Sequence, residues 1–177
     1  MFIGEKLHSI TQNMSIADII SLAGAALGFF AAFNILAGNY AIASIFMVLS
    51  VFIDVLDGYV ARLIKRKHEN FGKEVDSLCD VIAFGVAPAL MVLVLGSSYA
   101  IIPAVLFLFA GILRLARFNM LAHSDIYVGM PITLNGLIFP TIYFISTVTT
   151  VPNFIFDGAA LLSSALMISD IKIKKVF

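Results

Sequence analysis

The sequence predicts an all-α polytopic membrane protein: a single domain over residues 1–177 with six transmembrane helices. Three observations predict it. The 177 residues are 61% hydrophobic and only 12% charged, where a soluble domain carries roughly a quarter charged residues. Six apolar stretches each approach the ~20 residues that cross a ~30 Å hydrocarbon core. All eleven Lys and Arg fall on one side of that six-span arrangement, as the positive-inside rule expects.

Taken in order, residues 1–16 mix Glu5, Lys6, His8, Gln12 and Asn13 with Phe2, Ile3, Leu7 and Ile10. That mixture fits a short amphipathic juxtamembrane helix; it lacks the basic start of a signal peptide. The predicted spans are 17–37, 41–64, 72–95, 99–119, 130–150 and 153–171. Gly38-Asn39, Gly96-Ser97-Ser98 and the 149–153 stretch form short turns between them. Pro131 suits the first turn of the fifth helix. The basic residues put both termini, the 65–68 loop and the 120–129 loop in the cytoplasm. Asp157 reads as a helix-start acid. Asp170, Lys172, Lys174 and Lys175 read as a solvated tail that attracts anionic lipids. Cys79 is the only cysteine, so no intrachain disulfide is possible. Its offset from the neighbouring acids reads as packing. His8, His68 and His123 lie on different loops without metal-ligand spacing. Membrane lipids are expected partners; nucleic acid is not.

Against this apolar background one stretch stands out: Asp54-Val-Leu-Asp57 through Asp76-Ser-Leu-Cys-Asp80. Asp54 and Asp57 are i, i+3; Asp76 and Asp80 are i, i+4. Each pair therefore shares a helix face. Folding the stretch as a helical hairpin about position 67 brings all four carboxylates to matching heights. Unpaired acids there would repel, and charge in a membrane segment is costly and mostly functional. Hard divalent cations, two of them, are the natural counter-ions. Gly58 and Ala61 share the face of the first pair. A glycine there costs the helix ~1 kcal/mol, which indicates close approach of something bulky. Arg62 could fork onto phosphate oxygens. Gly72 caps the turn or gives clearance.

Asp54-x2-Asp57-Gly58-x2-Ala61-Arg62 followed by Gly72-x3-Asp76-x3-Asp80 resembles the signature of the CDP-alcohol phosphotransferase family. The loop between the two halves is one residue longer than the family pattern. Ala17-Asp18-Ile19-Ile20-Ser21 is similar to the family's Pro-(Asn/Asp)-x-x-Thr; for Asp18 and Ser21 that likeness implies contact with the cytidine end of a nucleotide. Asp18 also reads as an acid favoured by the helix dipole. Asp80-x4-Gly85-x2-Pro88, the run Leu113-Arg114-Leu115-Ala116-Arg117-Phe118-Asn119 and Gly129-Met130-Pro131 together resemble the phosphatidylserine synthase branch. The resemblance implies a metal-dependent transferase in which Asp54, Asp57, Asp76 and Asp80 hold Mg²⁺ or Mn²⁺. It implies Asp80 as general base, CDP-diacylglycerol and L-serine as substrates, and a homodimer; the placement of the basic residues puts the active site on the cytoplasmic side. Gly58, Ala61, Arg62 and Gly72 would contact the CDP-lipid. Arg114, Arg117 and Asn119 would meet serine or a lipid phosphate. Two rival readings keep the acids: another acceptor, such as glycerol phosphate or inositol phosphate, and a polyprenyl transferase. A divalent-cation transporter is the rival from another class, and the apolar far halves of helices two and three argue against an ion path.

Overall fold

The structure is a computed structural model that describes residues 14–64, 69–120 and 126–174. Ser15 starts helix α1 (Ile16–Leu36): its hydroxyl accepts the Asp18 N–H, and the Asp18 carboxylate accepts the Ser15 N–H at 2.7 Å. This reciprocal capping box satisfies two otherwise orphaned donors. Gly38, at φ 80°, ends the helix. The N–H groups of Gly38 and Asn39 turn back onto the carbonyls of Ile35 and Asn34, the paired closure of a Schellman motif. Helix α2 (Tyr40–Ile64) follows, then α3 (Glu69–Asp80). α3 continues through a π-helical segment, Val81–Val86, into α4 (Ala87–Leu95). Helix α5 spans Ile101–Met120. A 3₁₀ turn, Ile132–Leu134, leads into α6 (Asn135–Val148), and α7 spans Phe154–Ile168.

Four of these rods are long and apolar enough to cross a membrane: Ile16–Leu36, Tyr40–Ile64, Phe71–Leu95 and Ile101–Met120. Ile132–Val148 and Phe154–Ile168 are apolar but shorter. All six sit where the sequence places a span. Among the described residues there are also two three-residue strands that the sequence reading did not expect. β1 (Ile126–Val128) pairs antiparallel with β2 (Lys172–Lys174), Val128 opposite Lys172. Within the expected solvated tail, Asp170 is exposed, and residues 172–174 pair as a strand. The N-terminal amphipathic segment, the basic loop 65–68, His8, His68, His123 and Lys175 lie outside the described residues.

Small residues carry the packing. α1 buries Ala17, Ser21, Gly24, Gly28, Ala31 and Ile35 in one stripe, the i, i+3/i+4 spacing of a helix face. That stripe packs on α2 along its length and also on α3, the π segment and α4. Small side chains let apolar helices approach closely where no hydrophobic drive separates them from lipid. A Cβ on Gly28 would stand 2.4 Å from the Ala83 Cα. Phe107 of α5 meets Phe139 of α6 edge to face at 5.4 Å. Outside, large apolar side chains such as Phe29, Phe33, Phe52 and Leu113 are exposed, a surface suited to lipid.

The expected hairpin is modified in one respect. Among the described residues α2 and α3 are not packed side by side; α1 packs on both. Acid-bearing faces turned toward one another leave a gap, and α1 spans it. Replacing Gly28 by Leu is expected to cost at least the ~1–3 kcal/mol of an overpacked core, read as a lowered melting temperature in detergent. Gly158→Ala, where a Cβ meets nothing within 4 Å, should melt as wild type does.

Candidate active site

α2 supplies Asp54; α3 supplies Asp76 and Asp80. Each offers one carboxylate oxygen, and all three oxygens lie within 4.8 Å of one another. The 3₁₀ turn Ile132–Leu134 meets α2, the helix that carries Asp54. Carboxylates this close in apolar surroundings repel unless a proton or a cation stands between them. Three hard oxygen donors at this separation fit a divalent ion such as those the sequence implies.

Asp57, one turn further along α2, is 4% exposed. It stands outside the triad and accepts a hydrogen bond from the Ser21 hydroxyl of α1. Asp54, Asp57 and Asp80 nevertheless line one pocket of about 190 Å³, with Ser21, Ser50 and Cys79 on its walls. Of the four acids expected to converge, three meet directly and the fourth faces the same space.

The other expected residues divide. A Cβ on Gly58 would meet nothing within 4 Å, and Gly58 is not among the residues that line the acid pocket. Ala61 is half-buried, Arg62 exposed and Gly72 buried. Asp18 is 1% exposed and engaged in the α1 capping box. Arg114 is 8% exposed, its guanidinium 5.2 Å over the Phe118 ring, with its charge acting on Asp54 and Asp80. Arg117, expected to share an anion site with Arg114, turns elsewhere. It donates to the carbonyls of Met167, Ile168 and Ser169 and pairs with Asp170 at 2.9 Å. The last carbonyls of α7 lack helical partners and attract a cation, which redirects the side chain. Asn119 accepts from Ser77 at 3.1 Å, tying α5 to α3.

Three features escaped the sequence reading. Cys79 lines the acid pocket; three residues after Asp76, it lies only about a sixth of a turn off that face. Ser50 was legible, since it precedes Asp54 by four residues and Asp57 by seven. It donates to the Gly24 carbonyl at 2.9 Å and joins α2 to α1. Thr133 carried no local signal, because the 3₁₀ turn that holds it meets α2 from a distant part of the chain. The π segment begins directly after Asp80, and such widened turns occur frequently at functional sites.

An apolar helical bundle with a carboxylate triad, two of whose members line a pocket, defines a membrane protein with an acidic centre that could hold a metal. Residues 14–170 match the model of the CDP-alcohol phosphatidyltransferases, and the chain belongs to that family. It is similar to an archaetidylserine synthase of Methanothermobacter thermautotrophicus, 36% identical over 139 residues, covering 76% of this chain and 60% of the relative. A CDP-diacylglycerol–serine O-phosphatidyltransferase of Methanocaldococcus jannaschii is 34% identical over 171 residues, covering 96% of this chain and 78% of the relative. One of the same description from Helicobacter pylori is 42% identical over 113 residues, with 60% and 47% covered. The chain thus spans between about half and four fifths of the length of these relatives.

Asp76→Asn is expected to weaken Mn²⁺ binding by about tenfold or more, measured by calorimetric titration of the detergent-solubilised protein. Metal sites lose at least that much on changes even beyond the ligands themselves. Unchanged affinity would remove Asp76 from the centre.

Proposed function

We propose that the protein transfers a phosphatidyl group from CDP-diacylglycerol, or its ether-lipid analogue, to the hydroxyl of L-serine, with CMP leaving. The observation that carries this reading is the carboxylate triad, in a family whose similar relatives are named for that reaction. Asp54, Asp76 and Asp80, with Asp57 beside them, would hold Mg²⁺ or Mn²⁺, two ions in all. When bound, such ions neutralise the diphosphate and stabilise the leaving phosphate.

The chain's own residues do the rest. Gly58 leaves room for the diphosphate to approach α2, and Ala61, Arg62 and Gly72 complete that wall. Asp80 accepts the proton of the serine hydroxyl as its oxygen bonds to phosphorus and the bond to CMP breaks. Arg114, a buried cation at the edge of the acids, meets the acceptor's carboxylate, with Asn119 nearby on α5. Ser21 and Asp18 stand toward the nucleotide side. Their present bonds, to Asp57 and within the capping box, support a role in holding the site as well. The lipid chains stay in the bilayer. The active site opens to the cytoplasm, six helices span the membrane and the protein is a homodimer. The segregation of basic residues supports the first of these; the six apolar helices support the second; the family resemblance implies the third.

Purified protein given CDP-diacylglycerol and Mn²⁺ should release CMP with L-serine and not with glycerol 3-phosphate or inositol phosphate. Release with another acceptor alone would overturn the assignment of serine. Asp80→Asn should lose about a hundredfold or more of that rate while still binding the nucleotide. Near wild-type turnover would remove Asp80 as base.

A further inference from the structure

We propose that Ser50 is a positioning residue for this site: by bonding the Gly24 carbonyl it pins α1 on α2 in the register that brings Ser21 to Asp57. The proposal rests on the reading above that sets α1 on the nucleotide side of the pocket. Ser50 is fully buried and lines the same pocket as Ser21, Asp54 and Asp57. Its hydroxyl donates to the Gly24 carbonyl at 2.9 Å.

That direction is not the ordinary one for a helical serine. A hydroxyl on a helix commonly folds back onto a carbonyl three or four residues earlier in the same helix. Ser146 and Thr147 do so on α6, and Ser164 does so on α7. Ser50 instead crosses to a neighbouring helix. Gly24 makes the crossing possible, because it leaves bare backbone facing α2. A Cβ there would stand 3.3 Å from the Ile53 side chain and 3.8 Å from the Ser50 hydroxyl oxygen. Among apolar helices a buried hydroxyl without a partner is costly, so the bond resists being broken by sliding of the helices.

Ser21 stands three residues before Gly24 on α1, and Asp57 stands seven after Ser50 on α2. These spacings keep each pair on one face of its helix, so both contacts belong to one seam. Ser21 makes the second contact of that seam by donating to Asp57. With both in place α1 is fixed in height and rotation; with one alone it is free to pivot about the other. α1 also carries Asp18, so its register decides where the nucleotide side of the pocket stands relative to the acids. Arg114 and Asn119, on the acceptor side, belong to α5. Loss of the Ser50 bond is therefore felt by the nucleotide and not by the acceptor.

Ser50→Ala removes the hydroxyl from a helix that alanine suits. Ser44→Ala is the comparison: Ser44 is on the same helix and fully buried, and among the described residues its hydroxyl has no hydrogen-bond partner. CMP binding to each in the presence of Mn²⁺ is measured by calorimetry, beside melting temperature and the KM values for CDP-diacylglycerol and L-serine. Ser50→Ala is expected to melt close to wild type and to bind CMP about three- to tenfold more weakly, the range of one hydrogen bond between membrane helices. Its KM for CDP-diacylglycerol should rise by a similar factor and its KM for serine should hold. Ser44→Ala should bind CMP as wild type does. Wild-type CMP affinity in Ser50→Ala would overturn the proposal. So would an equal rise in both KM values, or equal weakening in Ser44→Ala, since general loosening of α2 would then be the cause. Ser21→Ala, measured alongside, separates the two levels of the account. If it weakens CMP binding while Ser50→Ala does not, only the role of Ser50 falls. If neither variant weakens it, the reading of α1 as the nucleotide side falls as well.

Discussion

Close carboxylates in an apolar bundle are the constraint on which the rest of the structure depends. Asp54, Asp76 and Asp80 place oxygens within 4.8 Å of one another, where water cannot freely screen them. Helices that carry such faces are kept from packing against each other directly. The fold answers with α1, whose stripe of alanine, glycine and serine touches α2 on one side and the α3–π–α4 rod on the other. Larger residues in that stripe would push the two acid-bearing rods apart. The close approach at Gly28 and Ala83 lies along the same rod that carries Asp76 and Asp80.

Polar groups around the acids then take one of two tasks. One holds a carboxylate directly: Ser21 donates to Asp57. Others hold the elements around the site. Ser50 joins α2 to α1, and Arg117 binds the end of α7, to which the backbone of Gly129 and Met130 is anchored. Arg114 differs from Arg117 in being buried beside the acids, although the two are one turn apart. Their divergence follows from their surroundings: one faces carboxylates, the other the carbonyl end of a helix.

The helices were legible because hydropathy and helix length report directly on a bilayer. Capping was legible too, since Ser15 and Asp18 stand at the spacing a capping box needs. The acidic stretch was legible because i, i+3 and i, i+4 spacing fixes a face whatever the tertiary context. What local pattern could not carry was contact between distant segments. The turn before α6 meets α2 from a distant part of the chain, β2 finds β1 across the length of two helices, and Asp57 turns to Ser21 rather than to the triad. The π turn after Asp80 has no periodicity signal, because it comes from packing against α1 and α5. Cys79 is buried, as a packing residue is, and it also lines the acid pocket, because a helical offset of about a sixth of a turn does not clear that face.

The central claim is that acids from two separate helices form one metal centre. Crystals grown with Mn²⁺ and measured for anomalous scattering test it most directly. The account predicts anomalous density about 2.0–2.2 Å from carboxylate oxygens of Asp54, Asp76 and Asp80, with a second peak on the Asp57 side. Mn²⁺-loaded crystals with no anomalous density between α2 and α3 would contradict it.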